Sequence, residues 1–352
     1  MRLLSSLVAN DLNGKRVVVR AALNVPIKDG DTKQQFRIAA LKDTVDFLIT
    51  AGAHVALLGH LGRPSGMPNK ELSMVQLIDD ITRILGYPVI FADTCTGTHV
   101  RDIMAGSADG TLVLLENVRF YPAETAKDAV VRRRFARDIA QNFDFYVNDA
   151  FSVCHRAHAS IVELAQVLPS YAGVQLAREV DTLRRVAHAP VRPAVAVLGG
   201  AKIATKLPLI RALEEHYDAV LVGGKVANEA LDEELSFAPQ VQLPTDFVGE
   251  RYDIGATTVA RFTVQIAQAR TVVWNGPMGW YEKPAYAQGT EAIVRALAET
   301  EAFTVVGGGE SIEALEHHGV IDKIDFVSTG GGAMLALLAG DTLPGVAALE
   351  DM

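Results

Sequence analysis

Only two cysteines, Cys95 and Cys154, occur in 352 residues. That is too few for a disulfide framework and fits a reducing compartment. No apolar run approaches the roughly 20 residues that a membrane helix requires. The opening stretch MRLLSSLVANDLNGKR meets polar Asn10, Asp11 and Asn13 before a signal-peptide core can form. Positive charge is also scarce: 33 Lys and Arg against 42 Asp and Glu leave a net charge of −9. A general nucleic-acid or anionic-membrane surface is thereby disfavoured, though clustered cations could still bind anions. These absences set the expectation of a cytoplasmic protein whose partners are small molecules. Two familiar phosphate fingerprints are missing as well. Without G-x-x-x-x-G-K-[ST] the chain is no P-loop ATPase, and without G-x-G-x-x-G a nicotinamide-dependent dehydrogenase is disfavoured.

What is present is an ordinary globular balance, 49% hydrophobic and 21% charged, in a length that suits two domains. Short apolar runs alternate with longer helical patterns. The runs are RVVVRAAL (16–23), HVALLGH (54–60), TLVLLENV (111–118) and FDFYVNDAF (143–151), then PAVAVLGG (193–200), AVLVGG (219–224), TVVWNG (271–276), FTVVGGG (303–309) and DFVSTGGG (325–332). Such runs, rich in Val and Leu and without alternation, read as parallel strands buried on both faces. Alternation with helices makes an α/β architecture. Residues 171–192 carry helical spacing and end on Pro190 and Pro193, and so read as a helix joining two lobes. Two open sheets fit; a single eight-stranded barrel is the alternative.

In an open parallel sheet, ligands sit at the carboxyl ends of the strands. The first half places cations there on every strand: Arg20 with Asn24, His60 with Arg63, Arg119, and Arg156 beside His155 and His158, with Arg37 opening the first helix. One such arginine is more often a solvated charge. The same placement on every strand suits an anion carrying carboxylate and phosphate. The run VRRRFARD (131–138) reads instead as a solvated helix face, and Cys154, His155 and His158 lack zinc-site spacing. His317 and His318 read as surface residues.

Strand ends in the second half carry glycines: GGAK (199–202), GGK (223–225), NGPMG (275–279), GGGES (307–311) and TGGGA (329–333). Glycine lets backbone N–H groups approach an anion at a helix N-terminus. A single loop of this kind is weak evidence, since β–α turns need glycine for geometry alone; five on one lobe point to a phosphorylated ligand. Lys202 and Lys206, four apart on a helix beginning near Ile203, are expected to share one face.

The segments NVP, GHLGRP, LLENVRF, YVNDAF…HRAHAS, LGGAK, VVWNGPMG, VGGGES and STGGGA stand in the order of the phosphoglycerate kinase family, which the chain resembles from about Leu12 to Leu349. The resemblance implies two doubly wound parallel-sheet lobes joined by a helix and hinge: a triose lobe at 1–172, an interdomain helix at 173–190, a nucleotide lobe at 191–340, and a tail at 341–352 returning to the first lobe. It implies reversible phosphoryl transfer from 1,3-bisphosphoglycerate to Mg-ADP, giving 3-phosphoglycerate and Mg-ATP, in a monomer. By position, the triose site would be Asn24, Arg37, His60, Arg63, Arg119 and Arg156. The nucleotide site would be Gly200, Ala201, Lys202, Lys206, Gly255, Asn275, Pro277, Glu282, Gly308, Glu310 and Ser311. Arg37, Lys202 and Lys206 would be catalytic, Glu282 would hold the ribose, and Glu310 would meet Mg2+ through the nucleotide phosphates.

Four departures stand out. The family's R-x-D-x-N-V-P reads RAALNVP, with Ala22 in place of an aspartate expected on the substrate hydroxyl; weaker triose binding or altered selectivity is expected. GGGDT reads GGGES, one methylene longer at Glu310. Thr205 replaces an acidic residue before the second lysine, and Lys225 stands where glycine is usual. The stretch from about Asp232 to Asp253 is much shorter than in the family, so the wall near the adenine is expected to be reduced; with Ala22 it leaves as the alternative a degenerate paralogue that binds phosphorylated ligands or a partner without efficient transfer.

Overall fold

The computed structural model describes residues 1–7, 9–28 and 31–350. Asp351 and Met352, the end of the expected tail, lie outside them. The chain divides into two compact units, one of Met1–Glu179 with the segment from Thr342 onward, the other of Val180–Asp341.

The first unit is built on β1 (Arg16–Ala21), β2 (His54–Leu58), β3 (Val89–Ala92), β4 (Leu112–Leu115), β5 (Phe145–Asp149) and β6 (Ser170–Ala172). They form one parallel sheet in the order β3-β4-β2-β1-β5-β6. Helices cover it, and one core joins Val17, Val19, Val55, Leu57, Leu112 and Leu114 with helical Val45, Leu48 and Ile81. The register sets Arg20 opposite Leu58 on one side and Asn148 on the other, at the carboxyl edge. The helix Val174–His188 leaves this sheet and stops before Pro190. The helix Pro344–Glu350 packs on this unit, where Gly345 N donates to Cys154 O at 2.9 Å.

In the second unit stand β7 (Ala194–Leu198), β8 (Ala219–Val222), β9 (Val241–Gln242), β10 (Thr271–Asn275), β11 (Phe303–Val306) and β12 (Phe326–Val327). Their parallel order is β9-β8-β7-β10-β11-β12. The chain steps outward from β7 through β8 to β9, then returns to the other side of β7. The crevice where it reverses, between β7 and β10, is where doubly wound sheets bind ligands. Val195, Val197, Val272, Trp274 and Val306 pack against helical Phe262, Ile266 and Ile293 in its core.

Two open sheets replace the eight-stranded alternative, and each has six strands rather than four or five. The three strands without a run in the sequence reading, β3, β6 and β9, all lie at a sheet edge. An edge strand has one neighbour and need not be apolar throughout; β3 and β9 are largely half-exposed. The VRRRFARD face is not wholly solvated either. It lies on the helix Ala129–Ala140, and Arg132 turns inward to pair with buried Glu163 at 2.7 Å.

Candidate functional site

At the carboxyl edge of the first sheet, Arg20 is fully buried and serves as a strut. Its Nε donates to Ser160 Oγ (2.8 Å), one Nη to Ala21 O (2.8 Å), and the other to His60 Nδ1 (3.1 Å). Ser160 in turn donates, through Oγ (2.7 Å) and N (2.9 Å), to the buried carboxylate of Glu124. Sequence reasoning missed both: Glu124 lies outside the quoted motifs, and Ser160, the last residue of HRAHAS, was given no role there. A guanidinium has no acceptor, so His60 Nδ1 is unprotonated and the proton sits on Nε2. Burial, together with Arg20 and Arg119, holds the pKa of His60 well below its ordinary value. The ring is therefore a neutral donor, aimed by a buried arginine.

The other expected cations gather here. Arg119, pushed down to about 10 by burial and by Arg20, Arg156 and Arg63, also donates to Gly62 O at 2.8 Å. Arg156 is exposed, its Nε on His155 Nε2 at 3.0 Å; Arg63 is exposed as well. His158, set against Glu124 at 3.7 Å, is held to about 3 by burial and by Arg119, Arg20 and Arg156. Asn24 accepts from Gly62 N (2.8 Å) with its side chain and from Arg37 (3.3 Å) with its carbonyl, tying the loop after β1 to the loop after β2. Ala22 is buried in a small apolar cluster with Ala150, Val153 and Ile161.

In the second unit the turns after β7 and β10 pack backbone against backbone. A Cβ on Gly199 would lie 2.0 Å from Pro277 O, and one on Gly276 would lie 2.4 Å from Gly199 O. Part of the glycine signal is therefore internal packing: the N–H groups of Gly199, Gly200 and Gly224 already donate to Asn275 O, Pro277 O and Met278 O. The helices Ile203–Leu213, Gly224–Asp232 and Gly309–His317 begin at these strand ends, so their N-termini gather at one edge. The first of them already carries a carboxylate, since Ile203 N donates to Glu229 at 2.7 Å.

The two lysines do not share a helix face. Lys202 precedes the helix in extended backbone and is exposed. Lys206 is buried, donating to Asn275 O at 3.2 Å and to Asn275 Oδ1, and burial lowers its pKa to about 7 against the pull of Glu310. Asn275 reaches on to Gly307 O (2.7 Å), and the buried Ser311 hydroxyl accepts from Gly276 N (2.7 Å), so Ser311 braces the turn. Gly308 caps its helix at φ +101°.

Beside these turns lies a cavity of about 690 Å3. Gly200, Ala201, Pro277, Glu282 and Glu310 line it, as does Lys225, whose Nζ is 3.9 Å from Glu229. Gly255 does not reach it and packs against Asp246, where a Cβ would meet the carboxyl at 2.4 Å. The shortened stretch forms a small hairpin, Phe247–Val248 with Asp253–Ile254, that brings Tyr252 to the cavity beside Trp280. The expected gap is therefore partly filled by rings that no motif announced.

The family model described as phosphoglycerate kinase matches residues 7–235 and 230–341. A phosphoglycerate kinase of Salinispora tropica is 40% identical over 398 aligned positions, covering 99% of this chain and 99% of that one. One of Rubrobacter xylanophilus is 41% identical, covering 97% of each. The crystal structure of phosphoglycerate kinase from Pyrococcus horikoshii OT3 superposes with a TM-score of 0.88 at 29% identity, covering 99% of this chain and 98% of that one. The structure of the Coxiella burnetii enzyme gives 0.80 at 32%, covering 100% and 99%. With cations at the edge of one sheet, phosphate-type turns at the switch point of the other and these likenesses over nearly its whole length, the chain belongs to the phosphoglycerate kinase family.

Proposed function

We infer that the chain transfers the acyl phosphate of 1,3-bisphosphoglycerate to ADP, reversibly, giving 3-phosphoglycerate and ATP. The observation that carries this reading is the charge imbalance in the first unit. Arg20, Arg156 and Arg63 all press on Arg119, and Glu124 is the carboxylate that offsets them. Clustered guanidiniums with so little compensation suit a small polyanion. In this reading Asn24, Arg37, His60, Arg63, Arg119 and Arg156 hold the triose, with His60 donating through Nε2. Gly200, Ala201, Asn275, Pro277 and Gly308 shape the nucleotide side, and Glu282 holds the ribose.

Phosphoryl transfer asks little covalent chemistry of the protein; alignment and charge neutralisation supply most of the rate. Arg37 and Lys202 stabilise the phosphoryl group in flight, and Lys206 supports it from behind Asn275. The ligands belong to separate units, so transfer requires the units to close and exclude water.

The residues fit a divalent cation that arrives with the nucleotide. Glu229, Asp232, Glu250, Glu282 and Glu310 line the cavity against Lys225 and Arg251, a balance that repels bare phosphates. Burial, and then Glu282, raise the pKa of Glu310 against the pull of Lys206. Among the described residues no three His, Cys or carboxylate groups could hold a metal by themselves. Mg2+ commonly takes one or two carboxylates together with substrate phosphates. Glu310 would hold it from the protein side, and its charge would offset that of the nucleotide phosphates. A coupled assay with 1,3-bisphosphoglycerate, ADP and Mg2+ tests the whole reading: ATP formation is expected, and none at high enzyme concentration would overturn it.

A further inference from the structure

One corner of the second-unit cavity has no task in phosphate binding. Trp280 is 44% exposed and Tyr252 37%, whereas the other tryptophan, Trp274, is fully buried. Large rings left in water beside a pocket mark a binding surface. This corner is also held in place. The rings of Trp280 and Tyr252 lie 5.9 Å apart at 59°, and Trp280 N donates to Tyr252 O at 2.8 Å. Tyr252 packs on Tyr286 at 4.9 Å. Gly279 presses on Asp253, where a Cβ would lie 2.3 Å from Oδ1, and Asp253 is itself gripped by Gly289 N at 2.8 Å. On the other side, Asn228 donates to Arg251 O at 2.9 Å and Arg251 pairs with Asp232 at 2.6 Å. Lys283 Nζ stands 3.5 Å over the indole and covers part of it.

The same cavity reaches Gly200, Ala201 and Glu310, and its 690 Å3 is room for a nucleoside diphosphate. A ligand that spans it would meet two rings at one end and the turn at Gly200 and Ala201 at the other. We propose that Trp280, backed by Tyr252, is the stacking partner of the purine base, so that the short hairpin and one indole do the work of a longer wall. This rests on the reading that the cavity takes ADP. Stacking on a fixed ring gains affinity because little side-chain entropy is lost on binding.

The test is tryptophan emission of the full chain titrated with Mg-ADP, and with Mg-pyrophosphate as a probe lacking the base, beside calorimetric Kd values. ADP is expected to quench the acrylamide-accessible emission; pyrophosphate is not. Trp280→Leu is expected to abolish that response and weaken ADP binding about tenfold without raising KM for 1,3-bisphosphoglycerate, and Trp280→Phe to restore most of the affinity. Calorimetric binding of ADP with unchanged emission, or a native Kd in Trp280→Leu, would overturn the stacking assignment and leave the kinase reading standing. If calorimetry detects no ADP binding, both fall.

Discussion

Lys206 is a buried amine whose charge a bound phosphate would change. Its amine is buried and titrates near 7, against an ordinary value of 10.5. At pH 8 about nine in ten such amines are neutral. A phosphate brought close restores the charge, so ADP binding at pH 8 is expected to take up nearly one proton. Calorimetry in buffers of different ionisation enthalpy measures it, and Lys206→Met should abolish the uptake. Ala22 gives a second prediction. Its surroundings are Ala150, Val153 and Ile161, so a carboxylate there would be buried among apolar groups. Ala22→Asp is expected to cost about 2 kcal/mol of stability, read by urea unfolding, and to leave KM for 3-phosphoglycerate no lower than native. A clear fall in KM would show that the carboxylate reaches the substrate. At this scale the sequence made the cations legible, because a parallel sheet brings all its strand ends to one edge. It did not separate Arg20, the buried strut, from Arg63 and Arg156, which stay exposed. That difference depends on Ser160, 140 residues away along the chain.

Among the elements, the interior strands and the edge strand β12 were legible and the edge strands β3, β6 and β9 were not, because an edge strand need not be apolar on both faces. The glycine turns were legible as a set, but their division between ligand and packing was not; it depends on which carbonyl each N–H meets. Capping of the helix Val174–His188 was likewise hidden. Thr44 Oγ1 accepts from Val174 N and Asp149 Oδ1 from Leu176 N, both at 2.8 Å, so first-turn amides are satisfied from distant parts of the chain. Asp149→Ala is expected to cost about 1–2 kcal/mol in denaturant unfolding. The cap also titrates. Burial raises Asp149 from 3.8 to about 7, so its folded form holds a proton that the unfolded chain has released. Its contribution is full below about 4 and is lost as pH rises through about 7. The Tm of Asp149→Asn should accordingly fall less than that of the native protein between those limits.

Over the whole molecule, the first unit is completed by residues that follow the second. Leu343, Val346 and Leu349 are each no more than 2% exposed. Each such side chain contributes about 1.5–3 kcal/mol when buried. Truncation after Asp341 is therefore expected to lower the melting of the first unit by many degrees while the transition of the second unit persists, which differential scanning calorimetry resolves. By contacts, the segment from Thr342 onward groups with residues 1–179, so along the chain the second unit interrupts the first. During synthesis, residues 180–341 leave the ribosome before the segment that seals residues 1–179. The lobe begun first is thus the lobe finished last. A chain that ends at Asp341 would hold a complete second unit and an unsealed first one, with the apolar surface around Cys154 and Ile161, against which Gly345 packs, left open.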